Sequence, residues 1–356
     1  MSIVAHTHPF VIGVDAHART HSLAILACPT GEVIDEGQFP ATAAGLQRAV
    51  AWVGRRTDGD LDTLWVVEGV GTYGARLARA AADAGYLVSE AARMNARANR
   101  GVGKSDPLDA RRIAQAVLPL EVTQLRRPRA DDGVRAAVRV LIASRDHLSA
   151  ERTAAINALT ALLRVADLGI DARRALTGGH IATVAAWRTR EEALAPKVAR
   201  AEAVRLAKRV LAADHELAAN AKQMTALLND SPARKLLDQP GIGPVTAAVA
   251  LAAWSHPGRV RSEAAFASLA GVNPIPASSG NTVRHRINRG GDRRLNRALH
   301  MAVVTRMRTD ARTRTYIEKR TAEGRTLREI RRCIKRYLAR QIYRQLNATQ
   351  TTPQPG

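Results

Sequence analysis

Aromatic side chains make up only 3 % of this 356-residue sequence, and cysteine occurs just twice. So few rings argue against a platform that stacks the bases of a single strand. Cys28 and Cys333 stand far apart, which excludes a zinc ribbon or a disulfide framework and fits a reducing compartment. Acids are also scarce: 32 Asp and Glu face 54 Lys and Arg, a net charge of +22. No apolar run reaches membrane-spanning length, and residues 1–30 lack the pattern of a secretion signal. The expectation is a soluble, cytoplasmic protein with no membrane partner.

What is present is concentrated. Between positions 284 and 344 stand 20 Lys and Arg against 5 Asp and Glu, so a net of +15 falls in one C-terminal block. A basic field this dense points to a polyanion, most often nucleic acid. Nearly all these cations are Arg, whose planar fork makes paired contacts with phosphate and guanine edges.

Apolar runs at 10–15, 21–28, 33–39, 64–68 and 86–88 predict strands, and the spacing at 43–55, 73–84 and 107–117 predicts helices. Three strands followed by alternating helices and strands imply a mixed sheet covered by helices. From about 131 the character changes. Long Ala/Leu/Arg patterns at 133–165 and 190–228, separated by a glycine turn near Thr177-Gly178-Gly179, predict an antiparallel helical hairpin with coiled-coil character. Such an arm serves either as scaffold or as a dimerisation and spacing device. Pro240-Gly241-Ile242-Gly243-Pro244 resembles the tight turn of a helix-hairpin-helix element, which offers backbone N–H groups to a phosphate. A structural corner between two helices is the competing reading. Asn273 to Pro276 reads as a rigid loop, and 292–308 and 326–345 as Arg-studded helices. The polar, proline-containing tail at 347–356 is expected to be disordered. Four parts follow: 1–128, 129–230, 231–346 and the tail.

The chemistry is expected at four acids. Asp15 and Glu68 each end an apolar strand, and Asp106 and Asp109 open a helix with Pro107 at its first position. Each alone is an ordinary strand-end or capping residue. Gathered together they repel one another unless a cation neutralises them, and hard oxygen ligands suit Mg²⁺ or Mn²⁺. Such ions activate an attacking oxygen and stabilise a leaving one in phosphodiester chemistry.

Two other motifs are weaker. Gly69-Val70-Gly71-Thr72-Tyr73-Gly74, with Glu90 beyond it, fits the dinucleotide fingerprint by spacing. Against this, Glu68 would set a carboxylate beside the pyrophosphate, and the unit is the fourth strand rather than the first. Gly103-Lys104-Ser105 echoes a phosphate-binding loop, but Ala98 occupies the place of the required glycine. No organic cofactor is expected. Ser278-Ser279-Gly280 precedes the basic block, where a serine could attack phosphorus with Arg284 and Arg286 stabilising the charge. A flexible turn is the plainer reading of that tripeptide.

Taken jointly, these pieces resemble a known family. Gly13-Val14-Asp15-Ala16-His17, Val67-Glu68-Gly69 and Lys104-Ser105-Asp106-Pro107-Leu108-Asp109-Ala110 look like the Asp-Glu-Asp-Asp signature of a RuvC-like, ribonuclease H-fold transposase domain. Pro240-Gly241-Ile242-Gly243, Phe266-Ala267-Ser268-Leu269-Ala270-Gly271, Ser279-Gly280 and Arg289-Gly290-Gly291-Asp292-Arg293-Arg294-Leu295 look like the C-terminal domain of the same family. It is the DEDD insertion-sequence transposases of the one-ten type, whose RNA-guided members are called bridge recombinases. Where that family often has Lys-Arg-Gly, this chain has Asn288-Arg289-Gly290.

The resemblance implies an α/β plus α architecture: a RuvC-like domain, a coiled-coil arm and a mostly helical transposase domain. It implies Mg²⁺ at Asp15, Glu68, Asp106 and Asp109. It also implies a covalent phosphoserine link to DNA through the serine directly before glycine, Ser279, with Ser278 its neighbour and rival. Donor and target DNA, a structured guide RNA, and dimers pairing into a tetramer are the implied partners. In that tetramer the metal domain of one subunit completes the serine site of another. Arg284, Arg286, Arg289, Arg293, Arg294 and Arg297 are the expected nucleic-acid contacts. A metal-dependent, structure-specific nuclease without serine chemistry is the alternative, and a basic nucleic-acid scaffold is a third reading.

Overall fold

The structure is a computed structural model. It describes residues 2–28, 30–92, 105–129, 132–278 and 285–348, and the chain forms two compact units, 1–131 and 132–356.

The first unit holds helix α1 (Val4–Thr7), strands β1 (Phe10–Ala16), β2 (Thr20–Ala27) and β3 (Val33–Pro40), and helix α2 (Ala43–Arg56). Strand β4 (Leu64–Val67), helix α3 (Ala75–Asp83), strand β5 (Leu87–Glu90) and helix α4 (Asp106–Gln115) follow. The sheet order is β3-β2-β1-β4-β5. The first three strands pair antiparallel, and β4 and β5 add in parallel to β1. This is the mixed α/β sheet that the apolar runs predicted, and its arrangement is compatible with a RuvC-like fold. β1 is buried almost throughout because both faces are covered. Ile12 and Val14 pack with Trp52, Val53 and Leu77 of α2 and α3. Val11 packs on the opposite face with Ala110, Ile113 and Ala114 of α4. Gly13 lies on that second face, where α4 presses against the strand.

The second unit is helical: α5 (Gly133–Val165), α6 (Gly178–Ala185), α7 (Leu194–Asn229), α8 (Pro244–Trp254), α9 (Glu263–Leu269), α10 (Arg293–Thr309), α11 (Ala311–Ala322) and α12 (Leu327–Ala348). A small antiparallel hairpin of β6 (Pro274–Pro276) and β7 (His285–Ile287) interrupts them. α5 and α7 run antiparallel side by side. Asn220 Nδ2 donates to Leu141 O at 3.0 Å, Arg145 Nη1 donates to Leu217 O at 2.9 Å, and Arg152 pairs with Asp214. The glycine pair expected to form a turn instead opens α6, because Thr177 caps that helix by accepting from His180 N. Gly241, with φ +75°, sits so near α10 that a Cβ would come 2.4 Å from Ala302 O, and Arg306 Nε donates to Pro240 O at 2.7 Å. No described helix is long and apolar enough to cross a membrane.

Charge also staples this unit. Glu263, in the first turn of α9, accepts from Arg340 Nε at 2.6 Å and from Arg344 Nε at 2.5 Å. Hydrogen bonds from the two guanidiniums hold its carboxyl down at about 2. A depressed carboxylate stabilises the fold fully above its unfolded value of about 4.3, and that contribution is lost as pH falls through the folded value. Glu263→Gln is therefore expected to lower the melting temperature at pH 7, with the gap to the parent narrowing below about pH 4.3. Melting curves across that range check it; a gap that stays constant would contradict the pairing.

Candidate metal centre and basic cleft

β1 delivers Asp15 to its C-terminal end, where the carboxylate is buried. The parallel register carries β4 to the same edge: Val14 pairs with Val67, and Glu68 N donates to Val14 O at 3.0 Å. Glu68 thus follows β4 directly beside Asp15, and its residue is exposed. The loop after it turns sharply at Gly69, with φ +62°, and a Cβ on Gly74 would come 2.4 Å from Glu68 O. Two glycines of the dinucleotide-like motif are therefore accounted for by chain reversal at the strand end.

α4 brings the other two acids. Ser105 is its N-cap, so Pro107 takes the second position rather than the first, and Asp106 and Asp109 both fall in the first turn. There the helix dipole favours negative charge. Asp109 is tied to Arg112 Nη1 at 3.0 Å. Arg111 pairs with Glu36 of β3, fastening α4 to the sheet.

Asp15 and Asp106 meet across a third side chain. His17 Nε2 lies 3.1 Å from Asp15 Oδ2 and 3.6 Å from Asp106 Oδ1. The ligand atoms of Asp15, His17 and Asp106 all lie within 4.8 Å of one another. Glu68 and Asp109 stand outside that trio. Burial pushes the Asp15 carboxyl up from its ordinary range, against the pull of His17, and the charges of Asp106 and Asp109 add to the rise. A cleft of about 480 Å³ lined by Glu36, Gly37, Gln38, Ser105, Asp106 and Pro107 opens beside Asp106.

These residues fit a divalent cation. Two hard oxygens and a nitrogen converge, further acids reinforce the negative field, and a buried hydroxyl is left over. Ser22, which pairs in register with Asp15, is 2 % exposed, and its Oγ has no hydrogen-bond partner among the described residues. An orphan hydroxyl beside an ionisable ligand is the kind of group that bonds to a ligand or its water once an ion is held. His17 was not among the expected site residues. Its signal was the strand period: residues two apart share a face, so Asp15 and His17 leave the strand end together.

The second unit carries a cleft of about 740 Å³. Arg286, Arg289, Arg293 and Arg297 line it, joined by Arg332, Lys335 and Arg336 of α12, which sequence reasoning did not single out. Lys335 Nζ donates to Asn296 Oδ1 at 2.7 Å, and burial lowers its pKa. Arg294 Nε is held by Asp146 at 2.8 Å and does not line the cleft, whereas Arg297 does both. Ser278 is exposed just beyond β6. Ser279 and Arg284 lie outside the described residues.

A strand-end aspartate facing a helix-start aspartate on a mixed five-stranded sheet defines a carboxylate site of the type that takes a hard divalent ion. Comparison with known proteins supplies the rest. Residues 12–166 match the DEDD-type IS110 family described as "Transposase", and residues 233–318 match the "Transposase IS116/IS110/IS902 family". A 42 kDa protein of insertion element IS900 from Mycobacterium paratuberculosis is 28 % identical, covering 89 % of this chain and 90 % of its own length. A 43.6 kDa protein of insertion element IS110 from Streptomyces coelicolor is 36 % identical over 29 % of this chain and 26 % of its own. The chain thus carries the DEDD and C-terminal transposase domains of the IS110 type, in that order. Both matches are to transposases, which makes the chain an enzyme of DNA transposition, similar to the proteins of insertion elements.

Proposed function

We propose that this transposase is a site-specific recombinase that mobilises its own element, chooses its sites through a structured noncoding RNA, and joins DNA through a phosphoserine. The observation that supports it most is the convergence of Asp15 and Asp106, from distant parts of the chain, within reach of one cation. Asp15, Glu68, Asp106 and Asp109 are the metal-site acids in this reading, and carboxylates of this kind hold either Mg²⁺ or Mn²⁺. When bound, the ion supplies charge neutralisation and Lewis acidity at a phosphate oxygen.

The side chains do the remainder. Asp15 is fixed by the sheet and Asp106 by the first turn of α4, so neither must reorganise as charge develops. Arg286, Arg289, Arg293 and Arg297 hold phosphate oxygens, giving position rather than sequence. Ser279 Oγ attacks phosphorus. One Oγ–P bond forms, one bridging P–O bond breaks, the departing deoxyribose oxygen gains a proton, and the serine proton passes to solvent. The phosphoester conserves the bond energy, so a second DNA hydroxyl can attack it and release Ser279.

Donor and target DNA are the substrates. The RuvC-like domain at 1–128 and the arm at 129–230 grip guide RNA by duplex shape. The domain at 231–346 carries the serine, the active form is a tetramer of paired dimers, and the protein works in the cytoplasm. Ser279→Ala is expected to abolish covalent protein–DNA adducts while DNA binding stays within about twofold, since one hydroxyl contributes little beside many phosphate contacts. Adducts are trapped on denaturing gels with labelled donor DNA. Adducts that persist would move the nucleophile elsewhere, with Ser278 first in line. Cleavage without any adduct in the parent would favour the nuclease reading.

A further inference from the structure

His17 has no part in the chemistry proposed above, yet it sits at the centre of the site. Its Nε2 is 3.1 Å from Asp15 Oδ2 and 3.6 Å from Asp106 Oδ1. Neighbouring ligand atoms around a six-coordinate ion with bonds of about 2.1 Å are separated by about 3 Å, so the trio is close to the edges of one coordination shell. The backbone is held at this point: His17 N donates to Thr20 O at 3.0 Å, closing the tight β1–β2 turn. The side chain is 51 % exposed, so an ion can reach the nitrogen from solvent.

A second, independent feature points to a ligand at the same place. The Ser22 hydroxyl is buried on the face that carries Asp15, opposite it in register, and has no partner among the described residues. A buried hydroxyl in that position is open to a hydrogen bond from a ligand or from a ligand's water.

Resting on the carboxylate-metal reading, we propose that His17 Nε2 is itself a metal ligand and that the site therefore prefers Mn²⁺ to Mg²⁺. Carboxylate oxygen suits both ions. Imidazole nitrogen suits transition metals, whereas Mg²⁺ favours an all-oxygen shell and keeps its waters. One imidazole nitrogen beside the carboxylates moves the donor set toward the ion that accepts nitrogen. Ser22 would then hold the Asp15 carboxylate in its ligating orientation, a positioning role.

The test uses the purified full-length protein without DNA. Mn²⁺ binding is followed by electron paramagnetic resonance, and Mg²⁺ by competition. In the parent, pulsed spectra of the bound Mn²⁺ are expected to show coupling to ¹⁴N. His17→Ala is expected to lose that coupling and to weaken Mn²⁺ binding by about tenfold or more, with Mg²⁺ affinity changing less than about twofold. His17→Asp supplies oxygen in place of nitrogen and should bring Mg²⁺ level with Mn²⁺. Bound Mn²⁺ without ¹⁴N coupling in the parent, or equal losses for both ions in His17→Ala, would overturn the proposal and leave the carboxylate site standing. Asp15→Asn separates the two cases, because undiminished Mn²⁺ binding in that variant would remove the carboxylate reading itself.

Discussion

Asp15→Asn is expected to reduce DNA strand cleavage by roughly three orders of magnitude or more, the scale of losing about 4 kcal/mol of transition-state stabilisation. It is also expected to leave the protein as stable as the parent, or more so, when no divalent ion is present. The two effects have one cause. Asp15 is buried at the strand end, and burial raises its pKa despite the hydrogen bond with His17. A carboxylate whose folded pKa is raised is penalised in the fold at neutral pH, and the penalty vanishes as pH falls below the unfolded value of about 3.9. Asparagine keeps the shape and removes the charge. Melting curves at pH 7 with chelator should therefore place the variant at or above the parent, the two converging in acid, while cleavage of labelled donor DNA disappears. An equal loss of stability and cleavage would make Asp15 a structural residue and sink the assignment.

The sheet was legible because apolar runs bounded by turn residues carry strand position directly, and a residue at the end of such a run is at the sheet edge wherever the sheet lies. That is why Asp15 and Glu68 could each be placed at a strand end from spacing alone, while the pairing of those two strands is read from the sheet. The convergence of Asp106 on Asp15 is a matter of which face α4 covers, and no local pattern carries that. The hairpin of β6 and β7 was hidden because its strands are three residues long and the first contains two prolines, Pro274 and Pro276. Helix α11 was missed for another reason. Thr313 is its one buried residue, so it has almost no apolar stripe to reveal a helical period. The C-terminal charge could be counted but not sorted.

The structure does sort it. Arg340 and Arg344 are committed to Glu263, and Arg294 to Asp146. Those cations hold helices together and are satisfied within the fold. Arg286, Arg289, Arg293, Arg332 and Arg336 instead line one cleft together with Lys335. Like charges gathered around a cavity repel, and a phosphate chain is the ligand that turns this cost into affinity. The basic composition therefore splits into a share paired within the fold and a share gathered at one cleft, which net charge alone could not distinguish.

Gly13→Ala is expected to damage the metal centre through packing alone. A Cβ at Gly13 would stand 2.0 Å from Ala110 O and 2.7 Å from Ala114 N, both backbone atoms of α4. No flexible side-chain end can yield there, so the helix must move. α4 resists, because Arg111 fastens it to Glu36 on β3 and Ile113 and Ala114 are packed beneath it. The overpacked contact should cost about 1–3 kcal/mol, roughly 4–12 °C in the melting of a unit this size. Asp106 rides on the displaced helix, and a shift of about 1 Å at a reacting group can cost about a hundredfold in rate. Mn²⁺ affinity should fall along with the melting temperature, although no ligand has been touched. Gly71→Ala is the control, because a Cβ there meets nothing within 4 Å. If Gly13→Ala melted and bound Mn²⁺ as Gly71→Ala does, the close seat of α4 on β1 would not be what carries Asp106 to Asp15.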